Sequence, residues 1–330
     1  MLARNNAIGR ATLALFLLFS GFASAANDPV PPPLLGSLID VGGYRVHLYC
    51  TGTGSPTVIV VGGAFSFDWG LVQPEVAKWT RICTYDPSGT AWSDAPRSVN
   101  QQGEKPVPRC ADRVAELHHL LQNGGVSGPY VLVGFSIGGL VGRLYTHSYP
   151  EDVAGMVIVD HAFIDVGSDV SPRAPVSSEL SQKAPAGPAL AGSVDSPPVL
   201  ISASPITLGL EDDQNFNKLP QRNRDLHAWA MSIHPLRPTA ETAAECLAAV
   251  DSATQSQTHS LGDRPLIVIR TNNDLPAYER LQAKLLLLSR NSKQIVAGES
   301  SHMVIIDEPK LIITSIREVV GAIRNSAKSK

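Results

Sequence analysis

Charge is scarce in this sequence: Asp, Glu, Lys and Arg make up 17% of its 330 residues, and the net charge is −3. Lys and Arg form no run or stripe, so nothing in the composition points to nucleic acid as a partner. Aromatic residues are only 6%. After residue 25 the apolar stretches are strand-sized, too short to span a bilayer. Four cysteines are present, Cys50, Cys83, Cys110 and Cys246, and their wide spacing matches no zinc pattern. A phosphate-binding Gly-Lys loop is missing as well, and no internal repeat is present. Neither a metal nor an organic cofactor is therefore expected.

The N-terminus is built differently. Arg4 and Arg10 precede an apolar run over residues 11–22, and Ala23-Ser24-Ala25 follows. These are the three regions of a secretory signal peptide, with cleavage expected after Ala25 and a secreted or periplasmic mature protein. No stable membrane insertion is expected once the signal is removed. In an oxidising compartment an even cysteine count permits two disulfides, in any of three connectivities. Cys50 with Cys83 is favoured because both fall on expected strands, leaving Cys110 with Cys246. Buried free thiols are the alternative for the first pair.

Residues 26–37 are a Pro-rich extended lead-in. Apolar strand runs and helical patterns then alternate over residues 38–162 and again over 263–330, as in an α/β core with a mostly parallel central sheet flanked by helices. Between them, residues 163–262 are rich in Ser, Pro, Ala and Asp, with helical patterns only at 222–233 and 239–250. Such a segment inside an α/β alternation reads as an inserted cap that supplies substrate walls.

One stretch carries the chemistry. Pro129-Tyr130-Val131-Leu132-Val133-Gly134 reads as a buried strand, and residues 137–149 read as a helix stopped by Pro150. Between them lies Gly134-Phe135-Ser136-Ile137-Gly138. A strand that turns directly into a helix around a serine needs small neighbours, exposes the hydroxyl and aims the helix N-terminus at any oxyanion that forms beside it. Ser136 is thus the candidate nucleophile, and the Ile137 N–H a candidate oxyanion donor. The strand at 56–61 ends in Gly62-Gly63-Ala64-Phe65, where Ala64 is the candidate second donor.

The chain resembles the α/β-hydrolase superfamily, in its serine-nucleophile branch of esterases and lipases. The resemblance rests on Val61-Gly62-Gly63-Ala64, on Tyr85-Asp86-Pro87-Ser88-Gly89 with Trp92-Ser93-Asp94, and on Gly134-Phe135-Ser136-Ile137-Gly138-Gly139. It continues in residues 265–274 and in Ser301-His302-Met303 followed by Asp307-Glu308-Pro309. It implies His302 as the base, in the loop after the last strand, and an acid at a strand end to orient it. Asp274, after the strand that begins near Pro265, takes first place for that role. Asp160, at the end of the preceding strand, is the alternative. Gly62-Gly63 stands where relatives often carry His-Gly, a change that leaves a backbone donor in place.

The implied activity is cleavage of a carboxylic ester, or of an amide or thioester, through an acyl-serine intermediate on a small-molecule acyl substrate. Acyl transfer or cofactor-free perhydrolysis on the same triad is the alternative. A catalytically silent ligand-binding protein on the same fold is another. Relatives that attack with an aspartate are argued against by Ser136 itself.

Overall fold

The computed structural model describes residues 31–63, 65–96, 109–161, 214–233, 240–254, 259–272 and 276–329. Strands β1 (Ser37–Asp40), β2 (Arg45–Thr51), β3 (Thr57–Val61), β4 (Ile82–Asp86), β5 (Tyr130–Phe135), β6 (Val153–Val159), β7 (Leu266–Thr271) and β8 (Ser292–Ala297) are its extended elements. They form one sheet in the order β1-β2-β4-β3-β5-β6-β7-β8. The hairpin β1–β2 and the β2–β4 pair are antiparallel, and every later pair is parallel. The hairpin turn uses Gly42 and Gly43 at φ 116° and 96°, a backbone region in which a Cβ would be strained.

β3, β4 and β5 are buried along their whole length, as the near-continuous apolar runs predict for parallel strands covered on both faces. Alternation sorts their side chains. Ile59, Val61, Tyr130 and Leu132 join one core, while Val58, Val60, Val131 and Val133 join the other.

The helices are α1 (Gln73–Val76), α2 (Cys110–Asn123), α3 (Ile137–Ser148), α4 (Gln221–Ile233), α5 (Ala240–Ala253), α6 (Pro276–Leu285), α7 (Val304–Asp307) and α8 (Pro309–Lys328). The first core is closed by Leu117 and Leu121 of α2, Leu140 and Leu144 of α3, and Leu247 and Val250 of α5. The second is closed by Val76 of α1, Val304 of α7, and Ile312, Ile316, Val319 and Val320 of α8. The α8 set recurs at helical spacing, which puts all four on one face of the helix. α1 is a single turn, Gln73–Val76, and is preceded by a 3-10 turn, Ser66–Trp69.

The expected leader, residues 1–25, lies outside the described residues. So does the Ser/Pro/Ala-rich first part of the expected cap. The two helices of that segment that are described behave differently: α4 docks on the Ser66–Trp69 turn, through Asn223 to the Phe67 carbonyl, and α5 packs beside α2 and α3. No helix among the described residues is long and apolar enough to cross a membrane.

Both favoured disulfides are formed. Cys50 and Cys83 are register partners on β2 and β4, and Cys110 at the start of α2 joins Cys246 of α5. Beside the second bond, Glu245 Oε2 accepts the Cys110 N–H at 2.6 Å and caps α2. Of the described residues, Cys110, Glu245 and Cys246 form a group of possible metal ligands, and the disulfide already uses both thiols. The bonds close loops of 33 and 136 residues. On chain-entropy grounds they stabilise the fold by about 4 and about 5 kcal/mol respectively. Replacing Cys110 and Cys246 together should therefore lower the thermal midpoint more than replacing Cys50 and Cys83, as scanning calorimetry of the two double variants would record.

Candidate active site

The turn between β5 and α3 is where the sheet meets its chemistry. Ser136 sits at φ 54°, ψ −124°, a conformation that costs on the order of 1–3 kcal/mol and persists only where its surroundings enforce it. They do so through backbone. The Ser136 N–H donates to the Val159 carbonyl at 3.0 Å, and the Ser136 carbonyl accepts the Gly139 N–H at 3.0 Å. A Cβ on Gly138 would lie 1.9 Å from the Val61 carbonyl oxygen, and one on Gly134 would lie 2.7 Å from the Gly138 carbonyl. The two glycines are thus required because the first turn of α3 rests directly on the ends of β3 and β5. Ile137 is the first residue of α3, so its N–H has no intrahelical acceptor and faces the same end of the helix as the serine.

His302 reaches this turn from the loop after β8. Its Nε2 lies 3.0 Å from Ser136 Oγ, and its Nδ1 lies 2.6 Å from Asp160 Oδ2. In the neutral ring the Nδ1–H donates to Asp160 and the Ser136 hydroxyl donates to Nε2. Phe135 stacks on the imidazole, with ring centres 5.0 Å apart and planes 30° from parallel. The His302 loop is held by Asp307, whose Oδ2 accepts the Ser301 N–H at 3.0 Å and the Ser301 hydroxyl at 2.6 Å.

Asp160 follows directly on β6, and its N–H donates to the Ile269 carbonyl of β7 at 2.8 Å. Its φ of 36° lies toward the left-handed region, which Asp tolerates better than most side chains. Oδ1 accepts the Thr271 hydroxyl at 3.1 Å and the Thr271 N–H at 3.4 Å, and it also accepts the Tyr278 O–H. Burial alone raises the Asp160 pKa. The His302 hydrogen bond and charge, with the donors from Tyr278 and Thr271, more than offset it and hold the carboxyl below its ordinary value. Burial and the adjacent carboxylate push the Tyr278 phenol well above its own, so it stays a donor.

Of the two acid candidates, the described one, Asp160, is the one that accepts the His302 Nδ1–H. Asp274 lies outside the described residues, as does the second oxyanion candidate, Ala64. Ser136, Ile137, His302 and Asp160 are brought together. Three other histidines are engaged away from Ser136: His47 pairs with Asp86 at 2.7 Å, His227 with Asp68 at 2.7 Å, and His118 stacks on Tyr149. Tyr278 and Thr271 were not anticipated, because a donor to a carboxylate 118 or 111 residues away leaves no local spacing signal. A cavity of 780 Å³ lined by Pro150, His259 and Pro265 lies at the N-terminal ends of β6 and β7, the opposite edge of the sheet from Ser136.

The family model for the alpha/beta hydrolase fold matches residues 56–309. This chain belongs to the α/β-hydrolase family. Among solved structures, the hydrolase is similar to a candidate lipase (lip1) of Acinetobacter baumannii AYE, with TM-score 0.60 and 16% identity over 89% of this chain and 93% of the other. It is also similar to a thermophilic esterase of Thermogutta terrifontis, with TM-score 0.57 and 17% identity over 87% and 98%. These identities speak for the fold alone. Among curated sequences it is 32% identical over 133 residues to "Probable transporter efuK" of Hormonema carpetanum, covering 38% of this chain and 18% of that protein. The hydrolase thus spans under a fifth of the length of that much larger relative.

A carboxyl whose folded pKa is depressed contributes stability that is present above its unfolded pKa, about 3.9 for Asp, and is lost as pH falls through the lower folded value. The unfolding free energy of the wild-type hydrolase should therefore exceed that of Asp160→Asn at pH 7, with the gap closing below about pH 4. Denaturant titrations from pH 7 down to pH 3 check this.

Proposed function

We propose that the protein is a serine hydrolase that cleaves a carboxylic ester, with Ser136 as nucleophile, His302 as base and then acid, and Asp160 as the orienting carboxylate. The observation that carries this reading is the unbroken chain from Ser136 Oγ to His302 Nε2 at 3.0 Å and from His302 Nδ1 to Asp160 Oδ2 at 2.6 Å.

In the first half-reaction Ser136 Oγ attacks the ester carbonyl as its proton passes to His302 Nε2. The negative charge that forms on the carbonyl oxygen is met by the Ile137 N–H at the head of α3, joined by the N–H expected from Ala64. The imidazolium hands its proton to the leaving alkoxide, and an acyl-serine remains. Water then attacks with its proton going to His302, and the return of that proton to Ser136 Oγ releases the carboxylic acid. Asp160 keeps its charge throughout and stabilises the imidazolium. The esterase and lipase names among structures of the same fold are consistent with this chemistry. Residues 1–25 and the two disulfides fit export to an oxidising compartment, and the segment after β6 fits a cap over the site.

A fluorophosphonate probe should label wild-type protein at Ser136 and leave Ser136→Ala unlabelled, read by intact-mass spectrometry. A folded wild type that stays unlabelled would overturn the hydrolase reading. With a p-nitrophenyl ester series, Asp160→Asn should lower kcat by on the order of 10⁴, whereas Asp274→Asn should change it less than about threefold. The same series, run with water alone and with added alcohol or peroxide, separates hydrolysis from acyl transfer and perhydrolysis.

A further inference from the structure

The loop expected to carry the second oxyanion donor ends on a buried carboxylate. Asp68, in the Ser66–Trp69 turn, is fully buried. Its Oδ2 accepts the Phe65 N–H at 3.0 Å, and its Oδ1 accepts the His227 Nδ1–H at 2.7 Å. His227 comes from α4, 159 residues away in the chain. Its ring lies between Phe216, with centres 4.2 Å apart, and Phe65, at 5.3 Å. The second ring nitrogen, Nε2, is buried without a hydrogen-bond partner. If packing were the purpose, a phenylalanine or leucine would fill this site without a buried unbonded nitrogen, which costs free energy. The bond to Asp68 is what the imidazole supplies.

Removing that bond leaves a buried carboxyl at the base of the loop with the Phe65 N–H as its donor. Other contacts hold the loop too: Trp69 Nε1 donates to the Gly62 carbonyl at 3.1 Å, and the Ser66 N–H donates to Asp86 at 2.7 Å. These two come from the core and from the loop's own turn. Among the described residues, the Asp68–His227 and Asn223–Phe67 hydrogen bonds come from the segment after β6. The same segment reaches the base as well, because Lys218 Nζ lies 2.6 Å from Asp307, the residue that holds Ser301 beside His302.

We propose that His227 is a positioning residue for the reaction: by donating to Asp68 and orienting it, it ties the oxyanion loop to the α4 segment that also braces the His302 loop. This rests on the serine-hydrolase reading above. In consequence, α4 sets the shape of the loop that receives the developing charge.

The test compares His227→Phe with His227→Asn, whose side-chain amide offers a donor where Nδ1 stands, and with the isosteric Asp68→Asn, which cannot accept the Phe65 N–H and keep the His227 bond. With p-nitrophenyl acetate, His227→Phe and Asp68→Asn should lower kcat at least tenfold with KM within twofold. His227→Asn should recover kcat to within threefold of wild type. In parallel, hydrogen exchange followed by mass spectrometry should speed up in the peptide covering residues 62–69 in the first two variants and not in His227→Asn. Wild-type kcat in His227→Phe, equal losses in His227→Phe and His227→Asn, or unchanged exchange at 62–69 would each overturn the proposal. If His227→Phe fails to fold, Asp68→Asn decides. If wild type hydrolyses no ester, the hydrolase reading falls, and the exchange comparison alone settles whether His227 orders the loop.

Discussion

The whole site hangs on a contact between two pieces of backbone. Gly138, in the first turn of α3, lies so close to the end of β3 that any side chain there would fall within bonding distance of the Val61 carbonyl. This contact fixes where α3 starts, so Ser136 takes its left-handed conformation and the first N–H groups of the helix point past the sheet edge. Parallel pairing of β3, β5, β6 and β7 sets the rest at the same height. The Ser136 and Asp160 amides continue the ladder by donating to Val159 and Ile269, one strand further along each time. Ser136 and Asp160 are therefore neighbours because their strands are neighbours, and their spacing is inherited from the sheet rather than from flexible loops.

Burial of charge at this edge follows one rule. Asp68, Asp86 and Asp160 are all nearly or fully buried, and each pairs with a histidine, His227, His47 and His302 respectively. A carboxylate moved out of water is tolerated only where donors surround it. What distinguishes Asp160 is its histidine, which has a second nitrogen facing a serine. In His47 the same pairing serves structure, with the second nitrogen turned to the Leu35 carbonyl. Chemistry arises here from a common structural pair placed beside a strained turn.

Much of the fold was legible from residue patterns. Two-sided burial of β3 and β5, the hairpin at Gly42-Gly43 and the amphipathic C-terminal helix each follow from local composition. Ser136 was legible because its neighbours must be glycines for steric reasons that a sequence displays. The acid was harder to read, since Asp160 and Asp274 both follow strands and a linear pattern does not say which side chain faces the histidine. The choice depends on Thr271 and Tyr278 supplying donors from distant segments, and on a φ that only the packed sheet imposes. His227 was opaque for a similar reason. Its partner lies on a turn whose length, like that of the short helix after it, depends on tertiary contacts more than on helix propensity.

The bond between Cys110 and Cys246 encloses β5, α3 and β6, and with them Ser136, Asp160 and the segment after β6 as far as Cys246. A single proteolytic cut anywhere inside that loop leaves the two pieces covalently joined, and the nucleophile stays attached to the half that carries His302. Continuity of the backbone between α3 and α5 is thus not what keeps Ser136, Asp160 and His302 in one molecule.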